Sequence, residues 1–492
     1  MAQENDILTA ELIFTADLTP AEARRVQRLA KDGKLTSLYS GIYTGRLDSP
    51  PEAIVQRNWL TIAGHILPGS VISFVSGRQG GPIQGTLHLT RGQRRHRIQL
   101  PGLTIEIYPG VEAQPDDAPY KALYLASEPR WLLENLVQGK GAGSRVLPQA
   151  DIEAYLEKVL VMRGEHKLND LRDRCRPLAD ALGLPKSYER LSKLISALLG
   201  THEGRLLRSK QALARAAGKP YDPERMVLFD ALFAHLNSSV LPDITDPAPT
   251  GEAMETFAFF EAYFSNYIEG TTFEIEEAER IIFERVIIPN RSEDSHDILG
   301  TFQVAIHPAW RATPPTTHDA FLTWLQQVNT EIMQARPDKL PGQWKLKGNQ
   351  AGSTIFVHPD LVRGTLIEGF ERIRALSHPL ASALMAMFVV AETHPFTDGN
   401  GRTARLIMNS YLSRYELSRI MIPTVFREDY LLPLKALSNN CDPIPFLSAM
   451  IRAQRWSAAF DYTRPRDQVH AAMAACNAFQ EDLRRYKLIS PE

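Results

Sequence analysis

Twelve residues, His394 to Arg405, concentrate the chemistry of this chain: His-Pro-Phe-Thr-Asp-Gly-Asn-Gly-Arg-Thr-Ala-Arg. An imidazole titrates near neutral pH and can take a hydroxyl proton, so His394 is the candidate general base. Asp398 offers a hard carboxylate oxygen, the kind of ligand Mg2+ takes from a protein while phosphates supply others. Gly399 and Gly401 allow a tight turn that aims backbone N–H groups at one point, with the amide of Asn400 between them. Arg402 and Arg405 add fixed positive charge where a helix would begin, and a helix N-terminus itself favours anions. A base, a metal ligand and an anion cradle are the parts of phosphoryl or nucleotidyl transfer. The bland alternative is a polar loop between two core helices, with a solvated aspartate and surface arginines. That reading suits a lone Gly-x-Gly, but not all these groups within twelve residues.

The neighbours explain how such a loop would be held. Ala383–Thr393 (ALMAMFVVAET) and Leu406–Leu412 (LIMNSYL) are strongly apolar, so the pattern predicts helix, polar loop, helix. Residues 361–392 read as two apolar helices leading in, and the stretch to about Arg455 as closing helices. Phe396 would anchor the loop in the core, and Pro395 would stiffen its entry.

The twelve residues resemble the signature of the Fic (filamentation induced by cAMP) family, H-P-F-x-[DE]-G-N-G-R-x-x-R, at every fixed position. The resemblance covers roughly the second half of the chain and implies a mainly helical Fic fold with a small β-hairpin flap. It implies ATP as substrate, Mg2+ as cofactor and transfer of AMP to a Ser, Thr or Tyr hydroxyl of a target protein. In that scheme His394 is catalytic and Asp398 holds the metal. ATP is bound by Gly399, Asn400, Gly401, Arg402 and Arg405. The Asn400 side chain helps at the α-phosphate, and the two arginines hold the β- and γ-phosphates.

Further upstream, Ser265-Asn266-Tyr267-Ile268-Glu269-Gly270 resembles the family's inhibitory pattern, [ST]-x-x-x-E-[GN]. Ser265, Glu269 and Gly270 then form a brake: a carboxylate paired with Arg405 displaces the γ-phosphate, so ATP binds only unproductively. Residues 346–359 (LKGNQAGSTIFVHP) read as a hairpin around glycines, in the place of the family's flap, where an extended target segment would dock by strand addition. Pro341-Gly342-Gln343-Trp344 matches the element before it loosely, with Lys345 where relatives carry Arg. Asn329 stands where many relatives carry His. Tyr430 and Asn439 lie where relatives place the adenine pocket, though a core tyrosine and a loop asparagine are equally compatible with the sequence.

The first half reads differently. Thr19 caps, Pro20 opens and Gly33 ends a helix. Leu35–Leu38 and Ile42–Thr44 then suggest a small winged helix-turn-helix over 1–65. The run Gly33–Tyr43 (GKLTSLYSGIY) is similar to the N-terminal module of AbiEi-type regulators. Arg24, Arg25, Arg28, Lys31 and Lys34 make residues 19–45 a candidate DNA contact. A mixed α/β region over 66–200 follows, with strands expected at VISFVS, GTLHLT, RIQL and LTIEIYPG, then helices from Ser127 to Leu199. A basic hairpin, Arg91, Arg94, Arg95 and Arg97, would touch nucleic acid or protect a sheet edge. Residues 201–250 read as a connector, 251–460 as the Fic domain and 461–492 as a helical tail.

Composition bounds the rest. With 492 residues the chain is too long for one core. Lys plus Arg (55) nearly balances Asp plus Glu (57), a net charge of −2 that argues against a wholly basic nucleic-acid binder. Cys175, Cys441 and Cys476 are too scattered for a disulfide framework or zinc site, which fits a cytoplasmic location. No signal peptide and no membrane span are expected. A homo-oligomer that hides the brake at an interface is compatible with the sequence. Three rival functions share these residues: phosphotransfer, against which the intact Gly-Asn-Gly argues; removal of AMP, with Glu269 positioning water; and DNA-binding regulation, with the Fic half as sensor or toxin.

Overall fold

The computed structural model describes residues 7–138, 143–201, 206–352, 354–482 and 484–491. Ser353 of the expected flap, residues 202–205 of the expected connector, and 483 and 492 of the expected tail lie outside them. The chain divides into two compact units, Met1–Ala216 and Ala217–Glu492, so the division falls inside the expected connector. That stretch carries the Lys210–Ala216 and Pro223–Ser238 helices.

In the first unit, a Pro20–Lys31 helix starts from a capping box: Thr19 accepts the Glu22 N–H, and Glu22 accepts the Thr19 N–H. It packs Val26 and Leu29 inward with Ile13 and Leu35. Beside it lies a three-stranded antiparallel sheet in the order β1 (Ile13–Phe14), β3 (Ile42–Thr44), β2 (Thr36–Tyr39). After the Pro51–Ile66 helix comes a mixed six-stranded sheet: β4 (Val71–Ile72), β5 (Thr86–Thr90), β6 (His96–Leu100), β7 (Leu103–Tyr108), β8 (Ala118–Tyr120) and β9 (Leu123–Leu125). Its order is β6-β7-β5-β4-β9-β8.

VISFVS departs from its expected strand. Only Val71–Ile72 pairs in the sheet, and Phe74–Gln79 is helical. Buried Glu134 accepts the Phe74 N–H at 2.9 Å, anchoring the entry to that helix. Phe74, Val75, Ser76 and Gly77 are all buried, and an apolar run buried all round carries no alternation that separates strand from helix.

The second unit is mainly helical. The Pro379–Thr393 helix is apolar all round and lies at its centre, with every residue but Pro379 and Ala391 buried. It packs against the Asn400–Arg414, Val362–Ala375 and Pro223–Ser238 helices. The Gly251–Ile268, Ser292–Ile306 and His318–Met333 helices support the first of these from the other side. Within the expected flap, β10 (Gln350–Ala351) pairs antiparallel with β11 (Thr354–Ile355) as a short hairpin. The closing helices are Arg427–Asn440 and Ile444–Ala458, and the tail carries one more, Arg466–Ala475. No helix among the described residues is long and apolar enough to cross a membrane.

Candidate active site

The loop from His394 to Gly399 joins the central helix to the Asn400–Arg414 helix. His394 leaves the helix in a left-handed conformation (φ 49°). Its Nδ1 lies 3.3 Å from the Ala391 carbonyl, a bond that fixes the proton on Nδ1 and leaves the Nε2 lone pair available. The ring stacks on Phe356 of the hairpin at 3.8 Å with 5° between planes. Burial, reinforced by the charge of Lys345, pushes the imidazole down to about 4, so it is neutral, with Nε2 unprotonated, throughout the physiological range.

Asn400 shapes the loop from within. Its Oδ1 accepts the Phe396 N–H at 2.8 Å and its Nδ2 donates to the Phe396 carbonyl at 3.0 Å. Both ends of the amide thus bond to the loop, and one of the two Nδ2–H groups is not used by these bonds. Phe396 is buried and stacks on Trp344 at 5.1 Å, as an anchor should. Gly399 adopts φ 78°, and a Cβ there would meet the Asn329 amide and Met333 sulfur, each at 2.8 Å. That closeness is used: Asn329 Nδ2 donates to the Asp398 carbonyl, and its Oδ1 accepts the Gly342 N–H, both at 2.9 Å. Asn329→Ala leaves these two groups unpartnered and should cost about 1–3 kcal/mol, read as a lowered melting temperature.

The arginines part company. Three residues on a helix place side chains about 60° apart, and different partners take them. Arg405 lies against the end of the Gly251–Ile268 helix: Nε donates to Ser265 Oγ (3.0 Å), and Nη2 to the Ser265 carbonyl (2.9 Å) and Glu269 Oε1 (2.7 Å). Tyr430 is buried close to that guanidinium. Arg402 instead turns into the protein, where Nη1 meets Asp297 Oδ2 at 2.7 Å and Asn266 Oδ1 at 3.2 Å. Its Nη2 also lies 3.8 Å from Asp398 Oδ1, so the guanidinium stays beside the loop carboxylate.

Glu269 lies where an anion would. A Cβ on Gly401 would fall 2.1 Å from Glu269 Oε1, so only glycine leaves room for a carboxylate on the first turn of the Asn400–Arg414 helix. A carboxylate at the end of its own helix is badly placed for that dipole, but here it faces the positive start of another. Burial opposes the charge on Glu269, yet Arg405 and then Arg402 outweigh it and hold the carboxyl below its usual range. Gly270 follows with φ 94° and takes the chain away from the site.

Asp398 is the open carboxylate. Its side chain is 41% exposed, and its Oδ1 accepts the Gly399 N–H at 2.6 Å. Among the described residues no three His, Cys, Asp or Glu side chains converge as a metal cage. One accessible carboxylate beside an anion cradle is nonetheless the donor set that Mg2+ takes when phosphates complete its shell, so Asp398 fits. Tyr430 is buried against Arg405 and offers no open face for stacking, and Asn439 Oδ1 accepts from Thr354 of the hairpin at 3.3 Å. Neither place marks an adenine pocket. Asp297, Asn266, Phe356 and Lys345 were not legible as site residues. Each acts through a contact that bridges elements far apart in sequence, and no local spacing signals it.

Residues 319–412 match the model of the Fic/DOC family, a span that includes Asn329, the hairpin and the twelve-residue loop but not Glu269. The chain is 28% identical over 198 residues to the protein adenylyltransferase Fic of Drosophila sechellia, covering 38% of this chain and 39% of that protein. It is 24% identical over 220 residues to the protein adenylyltransferase fic-1 of Caenorhabditis briggsae, covering 44% and 42%. The chain thus spans about two fifths of the length of these curated relatives. Among solved structures, Fic-1 (aa134–508) from C. elegans aligns with 66% of this chain and 93% of its own, at 18% identity and a TM-score of 0.37. IbpAFic2 covalently tethered to Cdc42 aligns with 65% and 99%, at 14% identity and a TM-score of 0.28.

Proposed function

We propose that this chain is a protein adenylyltransferase whose own Glu269 holds it off. One observation carries the reading: a carboxylate paired with Arg405 sits on the first turn of a helix, beside a neutral, buried-edge histidine. The reaction follows from the positions. ATP lays its phosphates along the Gly399–Gly401 backbone, and Arg405 takes the terminal phosphates once Glu269 leaves. Asp398 would hold Mg2+, which when bound neutralises phosphate charge. A target Ser, Thr or Tyr hydroxyl enters beside the hairpin and gives its proton to His394 Nε2. Its oxygen bonds to the α-phosphorus, the bond to the β-phosphate oxygen breaks, and pyrophosphate departs. Charge developing at the α-phosphate is met by backbone N–H groups already in place.

The extended edge of 346–359 is the proposed dock for the target, with Leu346 (75% exposed) and Ile355 (70%) as its apolar side chains. Labelled ATP tests the transferred group. The Glu269→Gly variant should retain label from the α-phosphate and none from the γ-phosphate; the reverse would make the chain a phosphotransferase.

For the first unit we propose nucleic-acid contact through the Pro20–Lys31 helix and its flank. Arg24, Arg25, Arg28, Lys31 and Lys34 are all exposed there, beside a small sheet. The full chain should shift duplex DNA in a gel, and Arg24→Glu with Arg28→Glu should abolish the shift. An unchanged shift in that variant, or none in the parent, removes the proposal.

A further inference from the structure

Lys345 is 3% exposed, yet among the described residues no carboxylate lies within ion-pair distance of its amine. Its Nζ donates to Asn349 Oδ1 at 2.6 Å and points to the Thr393 carbonyl at 3.4 Å, while its backbone N–H donates to the Pro395 carbonyl at 2.9 Å. Asn349 carries the connection onward. Its Nδ2 donates to the Phe396 carbonyl at 3.1 Å, and its own carbonyl accepts the Phe356 N–H at 3.1 Å. Phe356 is the ring stacked on His394. One lysine and one asparagine therefore join the hairpin to the chain on both sides of His394, and neither side chain bonds Gly399, Gly401 or Arg405.

We propose that Lys345 is a positioning residue that seats His394 beneath the hairpin. The inference rests on the transferase reading above. A charged amine makes stronger bonds to both acceptors than a neutral one, so the seat is firm when the amine is protonated. Burial and then the charge of Arg225 push that amine down to about 7, with Asp222 acting the other way. The other charged or titratable groups around it are Glu392, which is committed to Arg225 at 3.0 Å, and His394, which is neutral. The protonated fraction of Lys345 thus changes in the neutral range, while His394 stays a base throughout it.

The test measures AMP incorporation in the Glu269→Gly background from about pH 6 to about pH 9, alone and with Lys345→Arg or Lys345→Met. With lysine, kcat should fall as pH rises through about 7. With arginine, which stays charged, it should stay level over that range. With methionine, kcat should fall about 10- to 100-fold at every pH, with KM for ATP unchanged, as expected when a reacting group is misplaced and not lost. Identical pH profiles for lysine and arginine, or a methionine variant with undiminished kcat, overturn the proposal.

Absence of any incorporation by Glu269→Gly itself would refute the transferase reading instead. Thermal melting of the full chain then still decides the titration. A lysine with a depressed pKa binds fewer protons folded than unfolded, so the melting temperature should rise with pH between about 7 and about 10 relative to Lys345→Arg. A constant difference between the two would overturn the proposal without reference to catalysis.

Discussion

Replacing Glu269 by glycine raises AMP incorporation at least tenfold. The carboxylate makes a 2.7 Å charge-assisted bond to Arg405 and covers Gly401, so ATP must displace it before its terminal phosphates can settle. Hydrogen bonds to charged groups contribute about 1.5–3 kcal/mol, and 1.4 kcal/mol is a factor of ten in an equilibrium constant. Glu269 is 32% exposed on its side chain, which keeps the expectation toward the lower end. The same substitution leaves Arg405 without its anion. The nucleotide-free variant should therefore melt below the parent, and ATP with Mg2+ should restore more stability to it than to the parent. Equal activity with and without Glu269 would mean that the carboxylate is not a brake.

Replacing His394 by alanine in that released variant lowers incorporation by about a hundred- to ten-thousandfold, the usual range for loss of a positioned general base. The fold should survive, since the ring makes one stack and one bond to the Ala391 carbonyl at a helix end. The KM for ATP should stay near its parent value, because in the proposed reaction the phosphates rest on the Gly399–Gly401 backbone and Arg405. A fall in nucleotide affinity with unchanged kcat would give His394 a binding role instead. Burial keeps the imidazole at about 4, so no acid limb from His394 should appear between about pH 6 and pH 8.

The site was legible in the sequence where local spacing dictates local geometry. His394, Asp398, the two glycines and Arg405 follow one another through a loop into a helix, as the apolar runs on either side predicted. Ser265 and Glu269 came from the resemblance of Ser265–Gly270 to an inhibitory pattern and not from spacing; in the structure both bond Arg405. The partner of Arg402 was not legible, because spacing does not say what a neighbouring helix offers, and Asp297 offers a buried carboxylate. The contacts of the Asn400 amide were not legible either, because only the folded loop brings it to the Phe396 backbone. The helices of the second unit followed from their apolar spacing, whereas VISFVS, buried all round, gave no periodicity to distinguish strand from helix.

Intact-mass spectrometry of the Glu269→Gly variant, after incubation with ATP and Mg2+, tests the central claim most directly. The account predicts a gain of one AMP on the chain or on an added protein substrate, and no gain when His394 is also alanine. A gain of one phosphate, or no gain with any nucleoside triphosphate, would contradict it.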